Sequence, residues 1–233
     1  MHSEMTMLLL SAVTISFLHT VTGPDHYLPF IALSKARGWS VKKTVGWTIL
    51  CGCGHVWSSV LLGLIGALIG RSLSSLEWVE SFRGDIAGWV LVAFGVVYAV
   101  WGLVNANRNK THKHFDVYEE GSIYVYEHRH GSVVSPAEKH KVTPWVLFLI
   151  FLLGPCEPMI PLLYYSLAKF SAWGMFLLIV AYTVFTLLTM LAMVLIGYYG
   201  LSVFKLQKAE KYMHALGGLT VLVCGLGVVW MDW

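Results

Sequence analysis

Two Gly-Pro breaks, one in each half of the chain, constrain the fold more than any other feature. Gly23-Pro24-Asp25-His26 interrupts the first hydrophobic segment, and Gly154-Pro155-Cys156-Glu157-Pro158 interrupts the fourth, 131 residues later in a chain of 233. Proline removes a backbone donor and clashes with the preceding turn, and glycine adds backbone freedom, so both segments are expected to kink or unwind there. In hydrocarbon, unpaired backbone is tolerated only where it is buried in protein or lines a wet cavity. Each break also carries an ionisable or metal-liganding pair, Asp-His in one and Cys-Glu in the other. Paired broken helices in the two halves of a membrane protein point to a site near the midplane.

Composition supports a membrane setting. Hydrophobic residues make up 57% of the chain and charged residues only 12%, where soluble domains sit nearer a quarter charged; the mean hydropathy is +0.66. Six stretches are long enough to cross a hydrocarbon core of about 30 Å as helices: Met7–Ser34, Val41–Gly70, Ile86–Val104, Pro144–Leu167, Trp173–Leu201 and Ala215–Trp230. The first is not read as a cleavable signal peptide, because it lacks a basic leading region and contains Asp25 and His26. The expected fold is an all-α integral membrane protein, a single polytopic domain.

Basic residues set the expected orientation. Thirteen of the sixteen Lys and Arg fall in the loops after the first, third and fifth stretches, and only Arg71, Arg83 and Lys169 lie on the alternate side. The positive-inside rule then puts both termini outside a cell (inner) membrane and the loop of residues 105–143 in the cytoplasm. The net charge of +3 reflects this loop bias and does not suggest nucleic-acid binding. The lipid bilayer is the expected partner, and association into a homo-oligomer is left open.

An internal repeat extends beyond the breaks. Ile65–Gly70 is echoed by Leu195–Gly200, and Phe94-Gly95-Val96-Val97-Tyr98 by Leu226-Gly227-Val228-Val229-Trp230, at offsets of 130 to 132. Three helices per half reverse the topology of the second half, so a 3+3 inverted repeat is expected, with repeats at residues 1–104 and 144–233.

The intervening polar segment, residues 105–143, holds His112, His114, His128, His130 and His140. Alternation in Phe115–Glu120 and Ile123–Glu127 around Gly121-Ser122 suggests a short β-hairpin. These histidines read either as a weak metal-collecting loop or as incidental members of a solvated connector.

Inside the hydrophobic stretches, His19 and His26 are seven apart and share a face of an unbroken helix. Cys51 and His55 are four apart on one face of the second helix. An acid in a span is costly and is a functional candidate by default, so Asp25 and Glu157 are singled out. His19, His26 and His55 converge in sequence on the Asp25 segment, whereas Cys51, Cys53 and Cys224 suit small apolar packing.

Leu18-His19-Thr20-Val21-Thr22-Gly23-Pro24-Asp25-His26 resembles the first-helix signature of the nickel/cobalt transporter superfamily, nearest to its UreH-like six-helix membrane proteins. That resemblance implies a permease for divalent transition metals, nickel or cobalt first and zinc or iron next. His19, Asp25, His26 and His55 are the implied ligands, and Cys156 and Glu157 face them from the second repeat. Gly154-Pro155-Cys156-Glu157-Pro158-Met159-Ile160-Pro161 is similar to the Pro-Cys segment of the membrane thiol-disulfide electron carriers related to CcdA, which are also six-helix inverted repeats. Those carriers use one cysteine in helix one and one in helix four; here Asp25 stands at the equivalent of Cys156. The main expectation is therefore metal transport, with thiol-disulfide electron transfer and a membrane assembly factor or scaffold as alternatives.

Overall fold

The structure, a computed structural model, describes residues 2–108, 112–117, 123–128, 142–203 and 212–231. Its elements are α1 (His2–Thr22), a 3-10 turn (Pro24–His26), α2 (Leu28–Ala36), α3 (Val41–Leu68), α4 (Leu73–Arg108), a hairpin of β1 (His112–Val117) and β2 (Ile123–His128), then α5 (Val142–Leu153), α6 (Met159–Lys169), α7 (Ala172–Val203) and α8 (Met213–Met231). The body is all-α. Among the described residues, α1, α3, α4, α7 and α8 contain runs long and apolar enough to cross a membrane. The expected fourth span is divided at its Gly-Pro break into α5 and α6, each too short to cross alone.

Two helix ends follow directly from glycine. Gly38 and Gly70 have φ of 59° and 69°, the left-handed region that glycine occupies without a Cβ penalty. After α2, Trp39 N donates to Ser34 O and Gly38 N to Lys35 O; after α3, Arg71 N donates to Gly66 O and Gly70 N to Ala67 O. Both are Schellman caps, which satisfy the last carbonyls and reverse the chain. Ser40 then caps the start of α3 by accepting from Lys43 N at 3.4 Å.

The third helix differs from its expected bounds. Hydropathy placed it at Ile86–Val104, but α4 starts at Leu73 and includes Glu80 and Arg83. The two side chains pair at i and i+3, so a segment that reads as polar loop is helical. Arg83 is therefore not a loop cation.

Packing is swapped between the halves. Helix α1 lies against α7 and α3 against α5; α2 lies against α8 and α4 against α6; α4 and α8 pack along their lengths. Backbone approach explains the last pair. A methyl group at Gly95 would overlap the Leu222 backbone, and one at Gly218 the Ala99 backbone. Without a hydrophobic drive between helices in lipid, such close contact is what association rests on. The hairpin pairs His112 with His128 through Val117 with Ile123, its first strand starting before the expected Phe115.

Candidate functional site

The first break forms because α1 stops at Thr22 before Pro24. Gly23 N still donates to His19 O at 3.0 Å, and a 3-10 turn follows in which His26 N donates to Gly23 O at 3.1 Å. The turn swings His26 back beneath the last turn of α1. The His19 and His26 ring centroids are 4.8 Å apart, and His55 reaches across from α3 with its ring 4.9 Å from His26 and 6.2 Å from His19. His26 Nε2 and His55 Nε2 face one another at 3.3 Å. His26 Nδ1 lies 3.0 Å from the Gly23 carbonyl. A carbonyl only accepts, so Nδ1 carries the hydrogen and Nε2 keeps its lone pair. Asp25 Oδ1 pairs with the same Nδ1 at 3.2 Å, whereas His19 Nε2 is buried without a hydrogen-bond partner. Gly23 must lack a side chain here, since a Cβ would come within 2.5 Å of His26 Nδ1.

His19, Asp25, His26 and His55 line one cavity of about 40 Å³ together with Gly154 and Pro155 of the second break. One nitrogen from each of the three imidazoles lies within 4.8 Å of the others. Cys156 and Glu157, expected to face these groups, point elsewhere. Cys156 is fully buried in a cluster with Met159, Leu178 and Tyr182. Glu157 is exposed and lines a separate cavity with Glu77 and Glu80.

The second break is tied down by residues that sequence reasoning missed. Proline at 155 leaves Cys156 N without a helical acceptor, and the amide donates to Ser59 Oγ at 3.0 Å and Glu80 Oε2 at 3.2 Å. Ser59 Oγ also donates to Glu80 Oε2 at 3.0 Å. Arg83 Nη1 pairs with Glu80 Oε1 at 2.5 Å, and Nη2 donates to Ser58 Oγ at 2.7 Å and to Leu152 O at 2.9 Å, an unpaired carbonyl at the end of α5. Cys156 Sγ donates to Tyr182 Oη of α7 at 3.3 Å. Glu80 is 1% exposed and Arg83 15%. The available signal was the i, i+3 spacing of an acid and a base at the edge of an apolar run. Both breaks thus rest on α3, the first on His55 and the second on Ser59 one turn later.

The helix-break residues Gly23, Pro24, Gly154, Pro155 and Pro158 sit at the two interruptions as the sequence implies. All four cysteines are free; Cys51 and Cys224 pack in a different cluster from Cys156. Of the loop histidines, His112, His114 and His128 lie on the hairpin strands, whereas His130 and His140 fall outside the described residues.

A family model described as the cytochrome C biogenesis protein transmembrane region matches residues 29–227. The chain belongs to that family. Membership of the cytochrome C biogenesis transmembrane family overturns the nickel/cobalt transporter assignment and, with it, the metal-permease function that the first-helix motif implied. The misreading has a local cause: His19, Asp25 and His26 all precede the matched region, which begins at Pro29. The chain is also similar to the chloroplast protein FOR GROWTH AND FERTILITY 1 of Arabidopsis thaliana, 35% identical over 80 residues. That stretch is 34% of this chain and spans 21% of the plant protein. No solved structure matches.

Proposed function

We propose that this membrane protein carries reducing equivalents across the bilayer by thiol-disulfide exchange at Cys156. The observation that carries the reading is a family match over residues 29–227 with a cysteine at the Gly-Pro break inside it. Its relation to the CcdA-type carriers supplies the chemistry. The departure is the first break, where Asp25 replaces a second thiol. Cys51 and Cys224 do not fill that place, because they pack in another cluster. Cys156 therefore exchanges with thiols of partner proteins.

The exchange balances as follows. The Cys156 thiolate attacks a disulfide of an acceptor protein, one acceptor sulfur leaves as a thiol with the Cys156 proton, and a mixed disulfide remains. A thiol of a reduced donor protein attacks the Cys156 sulfur, and the acceptor departs with its second thiol and the donor's proton. The donor's other thiol then displaces Cys156, which regains a proton. One disulfide has been broken and one formed, and two electrons and two protons have passed from donor to acceptor. Burial of Cys156 means that the break must loosen for each partner, and the Ser59–Glu80–Arg83 network holds it closed between exchanges.

The 3+3 inverted repeat belongs to the same reading. The swapped contacts support it: α1 with α7 mirrors α5 with α3, and α2 with α8 mirrors α6 with α4. The loop charge bias supports the same reading, in which both termini lie outside and residues 105–143 inside. The test is a proteoliposome assay with a reduced thioredoxin-like donor on one side and an oxidised acceptor on the other. Cys156→Ser abolishes acceptor reduction and the trapped mixed disulfide, whereas the Cys51, Cys53 and Cys224 triple alanine variant keeps both. Full transfer by Cys156→Ser overturns the reading.

A further inference from the structure

The two breaks differ in how their polar groups are satisfied. At the second, the Cys156 amide finds partners in Ser59 and Glu80, and the Leu152 carbonyl one in Arg83. At the first, His19 Nε2 is buried with no hydrogen-bond partner, and Asp25 Oδ1 leans on a His26 Nδ1 that the Gly23 carbonyl also holds. A buried polar atom left unpaired is costly, so an open imidazole nitrogen beside a carboxylate in one small cavity marks a ligand.

The geometry names its class. Two imidazole nitrogens, each about 2.0–2.1 Å from one ion at a tetrahedral angle, stand about 3.3 Å apart. His26 Nε2 and His55 Nε2 are 3.3 Å apart. The Gly23 carbonyl fixes the His26 tautomer with its lone pair toward His55, as outer partners of metal-bound histidines do. His19 offers a third nitrogen within 4.8 Å, and a cavity of about 40 Å³ leaves room for an ion with a water. A divalent charge also offsets Asp25, which otherwise stands in the membrane beside three imidazoles. Three imidazoles and a carboxylate suit zinc, cobalt, nickel or iron(II) rather than a soft monovalent ion.

We infer that His19, His26 and His55, with Asp25 beside them, bind one divalent transition-metal ion as a resident of the fold, fastening the first break to α3 as Ser59 and Glu80 fasten the second. The ion is not cargo. The inference does not rest on the thiol reading: His19, Asp25 and His26 lie outside the family match, and Cys156 belongs to another cluster.

The test uses the full-length protein in detergent, stripped with a chelator and titrated with cobalt(II), whose visible absorption reports imidazole ligation. The wild type takes up one ion per chain at this site, and zinc displaces it. A variant with His112, His114, His128, His130 and His140 changed to alanine keeps that ion. His19→Ala, which removes a side chain with no hydrogen bond at Nε2, weakens cobalt binding at least about tenfold. In that loop-alanine background, the combined His19, His26 and His55 alanine variant shows no ligand-field band. Cys156→Ser binds cobalt like the wild type, so failure of the thiol reading leaves this result standing. Cobalt absorption that survives the triple histidine variant, or a wild type that binds no cobalt above that variant, overturns the inference.

Discussion

Glu80→Gln tests whether the second break depends on a buried charge. The substitution keeps shape and removes one charge. Glu80 accepts three hydrogen bonds, from Arg83 Nη1, Ser59 Oγ and Cys156 N. Hydrogen bonds to a charged group contribute about 1.5–3 kcal/mol, against about 1 for neutral pairs. A glutamine also has only one acceptor oxygen, so its amide must face either Arg83 or the Ser59–Cys156 side. Ser59 Oγ still accepts from Cys156 N, which limits the loss. The expected destabilisation is about 2–3 kcal/mol, below the 3–5 of deleting one partner of a buried pair outright. At about 2–4 °C per kcal/mol for a chain of this size, melting falls by about 4–12 °C. Thermal unfolding in detergent measures it, with exposed Glu77→Gln as a control for charge that leaves melting unchanged. A loosened break also exposes Cys156, so its labelling by a thiol reagent speeds up. A Glu80→Gln protein that melts with the wild type and hides Cys156 equally well refutes the argument.

Other expectations follow from the same contacts. Gly23→Ala drives a Cβ against His26 Nδ1 and Asp25 Oδ1 and should separate the first break from α3; a weakened cobalt signal with retained membrane insertion would be the readout. Gly95→Leu places a side chain where the Leu222 backbone lies, so α4 and α8 must part, and the variant should unfold at least about 10 °C earlier. Tyr182→Phe removes the hydroxyl that accepts from Cys156 Sγ and keeps the ring, and should change the rate of Cys156 exchange while shifting melting by less than about 4 °C. A cysteine placed at Ser122 should resist a membrane-impermeant thiol reagent in intact cells, and labelling there would reverse the proposed orientation.

The sequence alone determined the membrane character, the positions of both breaks and the residue types each one carries. Long apolar runs and Gly-Pro pairs act locally, through desolvation of the backbone and the missing proline donor, so they are legible without neighbours. The helix ends at Gly38 and Gly70 are local in the same way. What each break does depended on residues far away in the chain. Asp25, His19 and His26 carry a motif that reads as a permease, and only the match over residues 29–227 separated the motif from the function. Glu80 and Arg83 look like loop charges until folding brings Ser59 and Cys156 to them, because a buried ion pair is tolerated in a span only when its partners are in place. Cys156 likewise turns toward Tyr182 and away from the histidines because α3 and α4 hold its amide on the other side. Sequence spacing reports which residues share a helix face; which helix meets that face, and which orphaned groups it satisfies, was decided by packing.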